Sequence, residues 1–157
     1  DLRKQELRNL LAKDFLVLKS LLAEPFRAAN RKETWEILKD FFRVQMTEDC
    51  PYSGLVLLDR EKKVFDSVSL KSGVEPGAHI GNSYAGIPFQ GSEQSLFRIL
   101  VLYRPDKEHP MGQKGIEVAF EMEKDGQFLG WLVFQMDMRC LKDNYGIDEE
   151  GLKRLQA

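Results

Sequence analysis

The chain predicts a single α+β domain, helices first and antiparallel strands after, and three stretches carry that reading. The first is Gly115 to Met138. Ile116, Val118, Phe120 and Met122 alternate with Glu117, Ala119, Glu121 and Glu123, the period-2 pattern of a strand with unlike faces. Asp125-Gly126 then supplies the positive φ values of a type I′ hairpin turn. The return strand, Phe128 to Met138, is apolar at nearly every position, as a strand covered on both faces must be. The second stretch is N-terminal: Leu7, Leu11, Phe15, Leu18 and Leu22 recur at spacings of four and three, one stripe of a long amphipathic helix. The third is Ser95 to Arg104, a strand with Phe97, Ile99, Val101 and Tyr103 on one face and Leu96, Arg98, Leu100, Leu102 and Arg104 on the other.

A two-residue loop at Asp125-Gly126 sets Phe120 opposite Trp131 and Ala119 opposite Leu132. On that register Val118, Phe120, Trp131 and Val133 share one face, and Ala119, Gly130, Leu132 and Phe134 the other. The small residues of the second group leave room for a ligand or for a close-packed helix.

In chain order, the N-terminal helix spans 1–23, where Pro25 interrupts it. Leu10, Leu16, Val17 and Leu21 widen its stripe, enough to bury part of it against a second copy of the chain in a homodimer. Asn30 reads as an N-cap with Glu33 three residues on, opening a second helix over 32–46 whose Trp35, Leu38, Phe41 and Phe42 are core residues. The sheet and its loop occupy 54–138. Leu55 to Leu58 is a buried strand, Arg60 to Lys63 a charged turn, and Val64 to Leu70 the return strand. Lys71 to Glu93 is rich in glycine and poor in periodic apolar residues, hence loop with room for one short helix. Long loops in compact domains tend to be functional, and this one carries Tyr84 and Phe89. Asp148 is an N-cap for a closing helix over 148–157.

At 157 residues one domain is the default, and a net charge of −2 removes the electrostatic reason to expect nucleic acid. No run approaches the roughly 20 apolar residues that span a bilayer. The chain lacks an initial Met and is expected to be helical at both ends, as a piece of a larger protein would be, so membrane contact is expected only through segments absent from it. Cys50 and Cys140 are too far apart for a CxxC motif, and they read either as unrelated thiols of a cytosolic protein or as one bridge in an oxidising compartment. His79 and His109 have no nucleophile motif around them, and no metal-ligand spacing, haem motif or phosphate loop occurs, so we expect neither enzyme activity, metal nor cofactor.

The candidate chemistry is ligand binding. Arg98, unusual inside a strand, can clamp a carboxylate with bidentate geometry, walled by Tyr84, Phe89 and Trp131, with Tyr103 and Gln135 as further polar contacts. Arg98 and Tyr103 have opposite parity, so a bulge is needed for both to serve. The competing assignment pairs Arg98 with Glu117 or Glu121 on the neighbouring strand. Asp137 is a ligand contact or a cap on the following turn.

The order of elements resembles the extracytoplasmic Cache family, PAS-like sensor domains of bacterial chemoreceptors and histidine kinases. The residues that carry the likeness are the amphipathic N-terminal helix, the Gly54 to Phe65 hairpin, Ser83-Tyr84 ahead of the third strand, and the Lys124 to Trp131 hairpin. The resemblance implies a five-stranded antiparallel sheet of order 2-1-5-4-3, with the long N-terminal helix on one face and a small-molecule pocket on the other under the loop after strand two. It also implies periplasmic exposure in an inner-membrane signalling receptor, with the signal passed through the terminal helices. Strands one and five are then neighbours, which makes Cys50 and Cys140 candidates for a disulfide. The family's amino-acid-binding members carry an Arg and a Trp-Tyr pair where Ala85 to Phe89 stands here, which argues against an amino-acid ligand. We expect a small organic ligand, anionic if Arg98 is its clamp. The alternative is a cytoplasmic PAS- or GAF-like dimerisation or regulatory module without a small-molecule ligand.

Overall fold

The computed structural model describes residues 2–45, 50–69, 81–104 and 110–156. His79 and His109 lie outside them. Helix α1, Leu2–Arg27, buries Leu7, Leu11, Leu18 and Leu22 completely, with Phe15 half-buried beside them. It runs through Pro25 instead of stopping at residue 23. Proline removes one amide donor, and so near the helix end that loss touches a single carbonyl one turn back. The stop comes at Ala29, whose φ is 56°. The Asn30 N–H closes there on the Pro25 carbonyl at 2.8 Å, a Schellman-type ending. Asn30 then caps α2, Arg31–Gln45, accepting the Glu33 N–H at 3.2 Å while its own amide donates to the Glu33 carboxylate. Leu38, Phe41 and Phe42 enter the core, and Trp35 packs at its margin.

Strands β1 (Tyr52–Leu58), β2 (Val64–Ser69), β3 (Arg98–Arg104), β4 (Gln113–Lys124) and β5 (Gln127–Met136) form one antiparallel sheet of order β2-β1-β5-β4-β3. The α+β class and the strand order are those expected. The helices cover one face, where Leu55, Leu57, Ile99, Val118, Phe120, Leu132 and Phe134 meet α1 and α2. On the opposite face Val56, Leu58, Val64, Leu100, Ala119 and Val133 form a second apolar layer, closed by Tyr84, Ile87 and Phe89 from the segment after residue 80. Central β5 is therefore covered on both sides, as its unbroken apolar run requires.

The hairpin turn is the two-residue kind, with Lys124 opposite Gln127, Asp125 at φ 52° and Gly126 at φ 79°. The expected register beyond it is wrong by one residue. Met122 pairs with Gly130 and Glu123 with Phe128, leaving Leu129 as the extra residue of a β-bulge. Phe120 is consequently opposite Leu132, Ala119 opposite Val133 and Glu121 opposite Trp131. A one-residue slip exchanges faces: Trp131 and Val133 lie with Ala119 away from the helices, and Leu132 and Phe134 lie with Phe120 beneath them. Gly130 makes the bulge feasible, since its φ is 149° and a Cβ there would collide with the Leu58 carbonyl oxygen.

After β5, Asp137 accepts the N–H groups of Arg139 and Cys140, both at 3.1 Å, and so caps the short helix α3, Met138–Cys140. A π-helical turn, Leu141–Tyr145, and the short helix α4, Glu149–Arg154, end the described chain. Asp148 caps α4 through the Gly151 N–H at 2.8 Å, as its position predicts. Of the two roles expected for Asp137 it is the cap that the structure shows; the π-helical turn after it was not anticipated, and α4 is shorter than the expected 148–157.

Candidate functional site

The face away from the helices is roofed by residues 81–97, which are pinned at both ends. Ser83 bridges Lys63, Gln90 bridges Ile99, and the Tyr84 N–H bonds to the Lys62 carbonyl at 2.7 Å. Pinning drives the Tyr84 side chain down onto the sheet. Its hydroxyl donates to Glu117 Oε1 at 3.0 Å, and Gln135 Nε2 donates to Glu117 Oε2 at 3.4 Å. Glu117 is 3% exposed, a carboxylate held inside the roofed face. Gly54 makes room for this arrangement, because a Cβ on it would strike Gln135 Oε1. Two of the anticipated site residues, Tyr84 and Gln135, thus converge on a third that the sequence presents only as one of several alternating glutamates.

A second neighbourhood lies at the start of β3. A hollow of about 130 Å³ is lined by Arg98, Trp131, Phe97, Phe15, Glu93 and Glu121, among others. Arg98 donates to the Ser92 carbonyl and, at 3.5 Å, to Glu121 Oε1. Its partner is therefore Glu121, not Glu117. Arg98 pairs with Ala119 across the ladder, which leaves both glutamates diagonal to it, and the Ser92 carbonyl holds the guanidinium on the Glu121 side. Phe89 meets Trp131 edge to face with centroids 4.9 Å apart, and Phe128 meets the same ring at 5.7 Å. Tyr103 joins neither group. It is 68% exposed beyond the helix cover, on the strand face opposite Arg98, as its parity requires.

Helix α1 lines this hollow, and the C-terminal residues bond to the segment that forms its wall. From α1, Phe15 stacks on Phe120 at 4.4 Å and forms part of the wall. From the C-terminal end, the Gln156 side chain donates to the carbonyls of Gln90 (2.7 Å) and Phe97 (3.1 Å), and the Gln156 backbone carbonyl accepts the Leu96 N–H at 2.8 Å. Arg8 of α1 donates to the Leu155 carbonyl at 3.3 Å and joins the two ends.

Two buried carboxyls tie helices to strands. The Tyr52 hydroxyl donates to Asp14 at 2.6 Å, and the Thr34 hydroxyl to Asp66 at 2.8 Å. Burial pushes both acids above their ordinary values, with these hydrogen bonds working in the opposite sense. Cys50 and Cys140 are free thiols in the structure. They lie at one end of the β1/β5 pair, where the Asp137 N–H bonds to the Pro51 carbonyl at 2.8 Å. Burial raises the Cys50 thiol, and the nearby Cys140 adds to the rise. Among the described residues no cluster of side chains has the composition of a metal site.

No family model matches the chain, and no curated protein matches it. Solved structures do. A domain from Vibrio parahaemolyticus, described as part of a sensory box/GGDEF family protein, superposes with a TM-score of 0.69 at 11% identity, over 94% of this chain and 60% of that one. The extracellular domain of vpHK1S-Z8, described as a histidine kinase, gives 0.64 at 12% identity over 94% and 57%. The sensor domain of the V. cholerae histidine kinase DctB gives 0.51 at 18% over 90% and 50%. At these identities the likeness is one of fold, a long N-terminal helix on a five-stranded antiparallel sheet. The chain spans about half to three-fifths of the length of those three. None of them is described as catalytic; they are sensory or extracellular domains. In this fold the helix-covered face is core, and the roofed face together with the β3 hollow holds the anticipated site residues apart from Tyr103. No helix among the described residues is long and apolar enough to cross a membrane.

Proposed function

We propose that the 157 residues form one ligand-sensing domain of an extracytoplasmic signalling receptor, which receives a small organic molecule in the β3 hollow and reports its presence through the terminal helices. The observation that carries this reading is the company Arg98 keeps. The hollow it lines is walled by Phe15 of α1 and by residues of the 90–97 segment that Gln156 holds, so an occupant touches α1 directly and the C-terminal end through that segment. A ligand carboxylate would compete with Glu121 for the guanidinium. That exchange costs little, since the pair spans 3.5 Å and the Glu121 side chain is 54% exposed, and pairs of this kind contribute about 0–1 kcal/mol. The volume, about 130 Å³, is close to the roughly 150 Å³ of an engineered cavity that takes benzene. The ligand is therefore small, with Trp131 and Phe97 against its apolar part. By displacing Phe15 or the 90–97 segment it biases the balance between two packings of α1 and the C-terminal end.

Placement in an oxidising compartment also makes Cys50 and Cys140 a disulfide pair in this reading. The alternative, a dimerisation or regulatory module without a ligand, draws support from Leu16, Val17 and Leu21, which α1 leaves exposed.

A thermal-shift screen against organic acids, amines, amino acids and nucleotides tests the proposal. Binding to the folded state at about a hundred times the dissociation constant adds roughly 2.7 kcal/mol, a rise of about 5–10 °C in Tm. A hit from an organic acid that disappears in Arg98→Ala is the expected result. A dimer in solution with no hit from any class would favour the module without a ligand.

A further inference from the structure

Among the described residues, Lys62 directs its ammonium group at aromatic rings instead of at a carboxylate. Its Nζ lies 4.1 Å from the Phe89 ring centroid and 6.0 Å from that of Trp131. These two rings meet edge to face, with Phe128 on Trp131 beside them, so three rings from two parts of the chain make one corner. The acids of Lys62's own turn are committed elsewhere. Glu61 pairs with Lys63 at 3.5 Å, and the Asp59 carboxylate accepts the N–H groups of Glu61 and Lys63 at 2.9 and 3.0 Å.

The backbone holds Lys62 in place. Its φ is 62°, a left-handed conformation that side chains other than glycine, asparagine and aspartate seldom adopt. Its N–H bonds to the Asp59 carbonyl at 3.0 Å, and its carbonyl accepts the Tyr84 N–H at 2.7 Å, which ties the turn to the roof segment that carries Phe89. Phe89, Trp131 and Lys62 are each half-buried and Phe128 is 37% exposed, so the corner opens to solvent.

We propose that the Phe89–Trp131 corner is a binding site for an alkylated ammonium ion, with Lys62 as its internal occupant. The ring faces attract a cation through their quadrupoles, and substituted ammonium groups are the ligands that aromatic corners select. A primary ammonium such as that of Lys62 is strongly hydrated and gains from returning to water. A tetraalkylammonium ion has no N–H groups to leave unsatisfied and presents apolar methyls to the rings. Such a ligand takes the corner and releases Lys62 to solvent. The corner shares Trp131 with the Arg98 hollow, but the inference does not rest on that hollow's ligand, since a tetraalkylammonium ion offers nothing to a guanidinium.

The test is a titration of the 157-residue chain with tetramethylammonium chloride against sodium chloride at equal ionic strength. Trp131 fluorescence is read in a Trp35→Phe background, and calorimetry on the chain that keeps Trp35 serves as a check. Lys62→Gly removes the occupant and suits the left-handed backbone, so it keeps the fold. The expected result is saturable binding that tightens about tenfold in Lys62→Gly and is lost in Phe89→Leu. Absence of saturable binding in Lys62→Gly overturns the proposal, and so does equal affinity in Phe89→Leu.

Discussion

Replacing Tyr52 by Phe removes one oxygen and isolates a buried acid. Asp14 and Tyr52 are each 2% exposed, and the hydroxyl is the donor that meets the Asp14 carboxylate at 2.6 Å. Tyr52 is held far above its ordinary titration range, chiefly by burial and then by Asp14, so it remains a donor across the accessible pH range. Without it the carboxylate keeps its desolvation cost and loses its hydrogen bond. A buried unsatisfied acceptor costs about 1–3 kcal/mol, with charged groups at or above the upper end. At pH 8 we expect a loss of about 3 kcal/mol, and at pH 4, toward which an acid raised by burial gains its proton, a smaller loss of about 1 kcal/mol. The assay is urea denaturation of wild type and Tyr52→Phe at both pH values, with Asp14→Leu and the double variant completing a cycle. The double variant should be less destabilised than the sum of the singles, because removing both partners leaves nothing buried and unpaired. Equal losses at the two pH values, or additive singles, would refute the reasoning.

Gly130→Ala should cost about 2–4 kcal/mol by denaturation, since the left-handed backbone and the collision with the Leu58 carbonyl add; a loss under 1 kcal/mol would mean that the bulge is not as described. The Asp66 pKa is raised by burial, so the native state holds that proton more tightly than the unfolded chain. Its stabilising contribution is full below the ordinary value of 3.8 and is lost as pH rises through the raised native value. Glu24, Asp148 and Glu149 are lowered and run the other way, so the reading is a difference: stability should fall less with rising pH in Asp66→Asn than in wild type, and parallel profiles would contradict it. Protein exported to an oxidising compartment and alkylated before reduction should gain no adduct at Cys50 or Cys140, as intact mass reads directly; two adducts would exclude the bridge.

The architecture was legible because its signals are local. The stripe from Leu7 to Leu22, the Asn30 and Asp148 caps, the Asp125-Gly126 turn and the alternation in β4 each act within a few residues, and each stands where expected. The register of β5 was not legible, because the bulge at Leu129 depends on Gly130 lying against the Leu58 carbonyl, a contact between distant segments. For the same reason Trp131 was assigned to the wrong face. In the site, parity put Arg98 and Tyr103 on opposite faces of β3 and so warned against combining them. The buried Glu117 was missed, since nothing in its own strand separates it from Glu121. Only the Tyr84 hydroxyl, brought over it by the pinned roof, makes the distinction. Lys62 gave no sign among the charges of its turn, because its partners are rings from the roof and from β5.

The central claim is tested most directly by a crystal structure of the domain with the strongest organic-acid hit from the thermal screen. The account predicts the acid's carboxylate on the Arg98 guanidinium, Glu121 released, Trp131 and Phe97 against the remainder, and Phe15 or residues 90–97 displaced. A ligand bound elsewhere, with the Arg98–Glu121 pair intact, would contradict it.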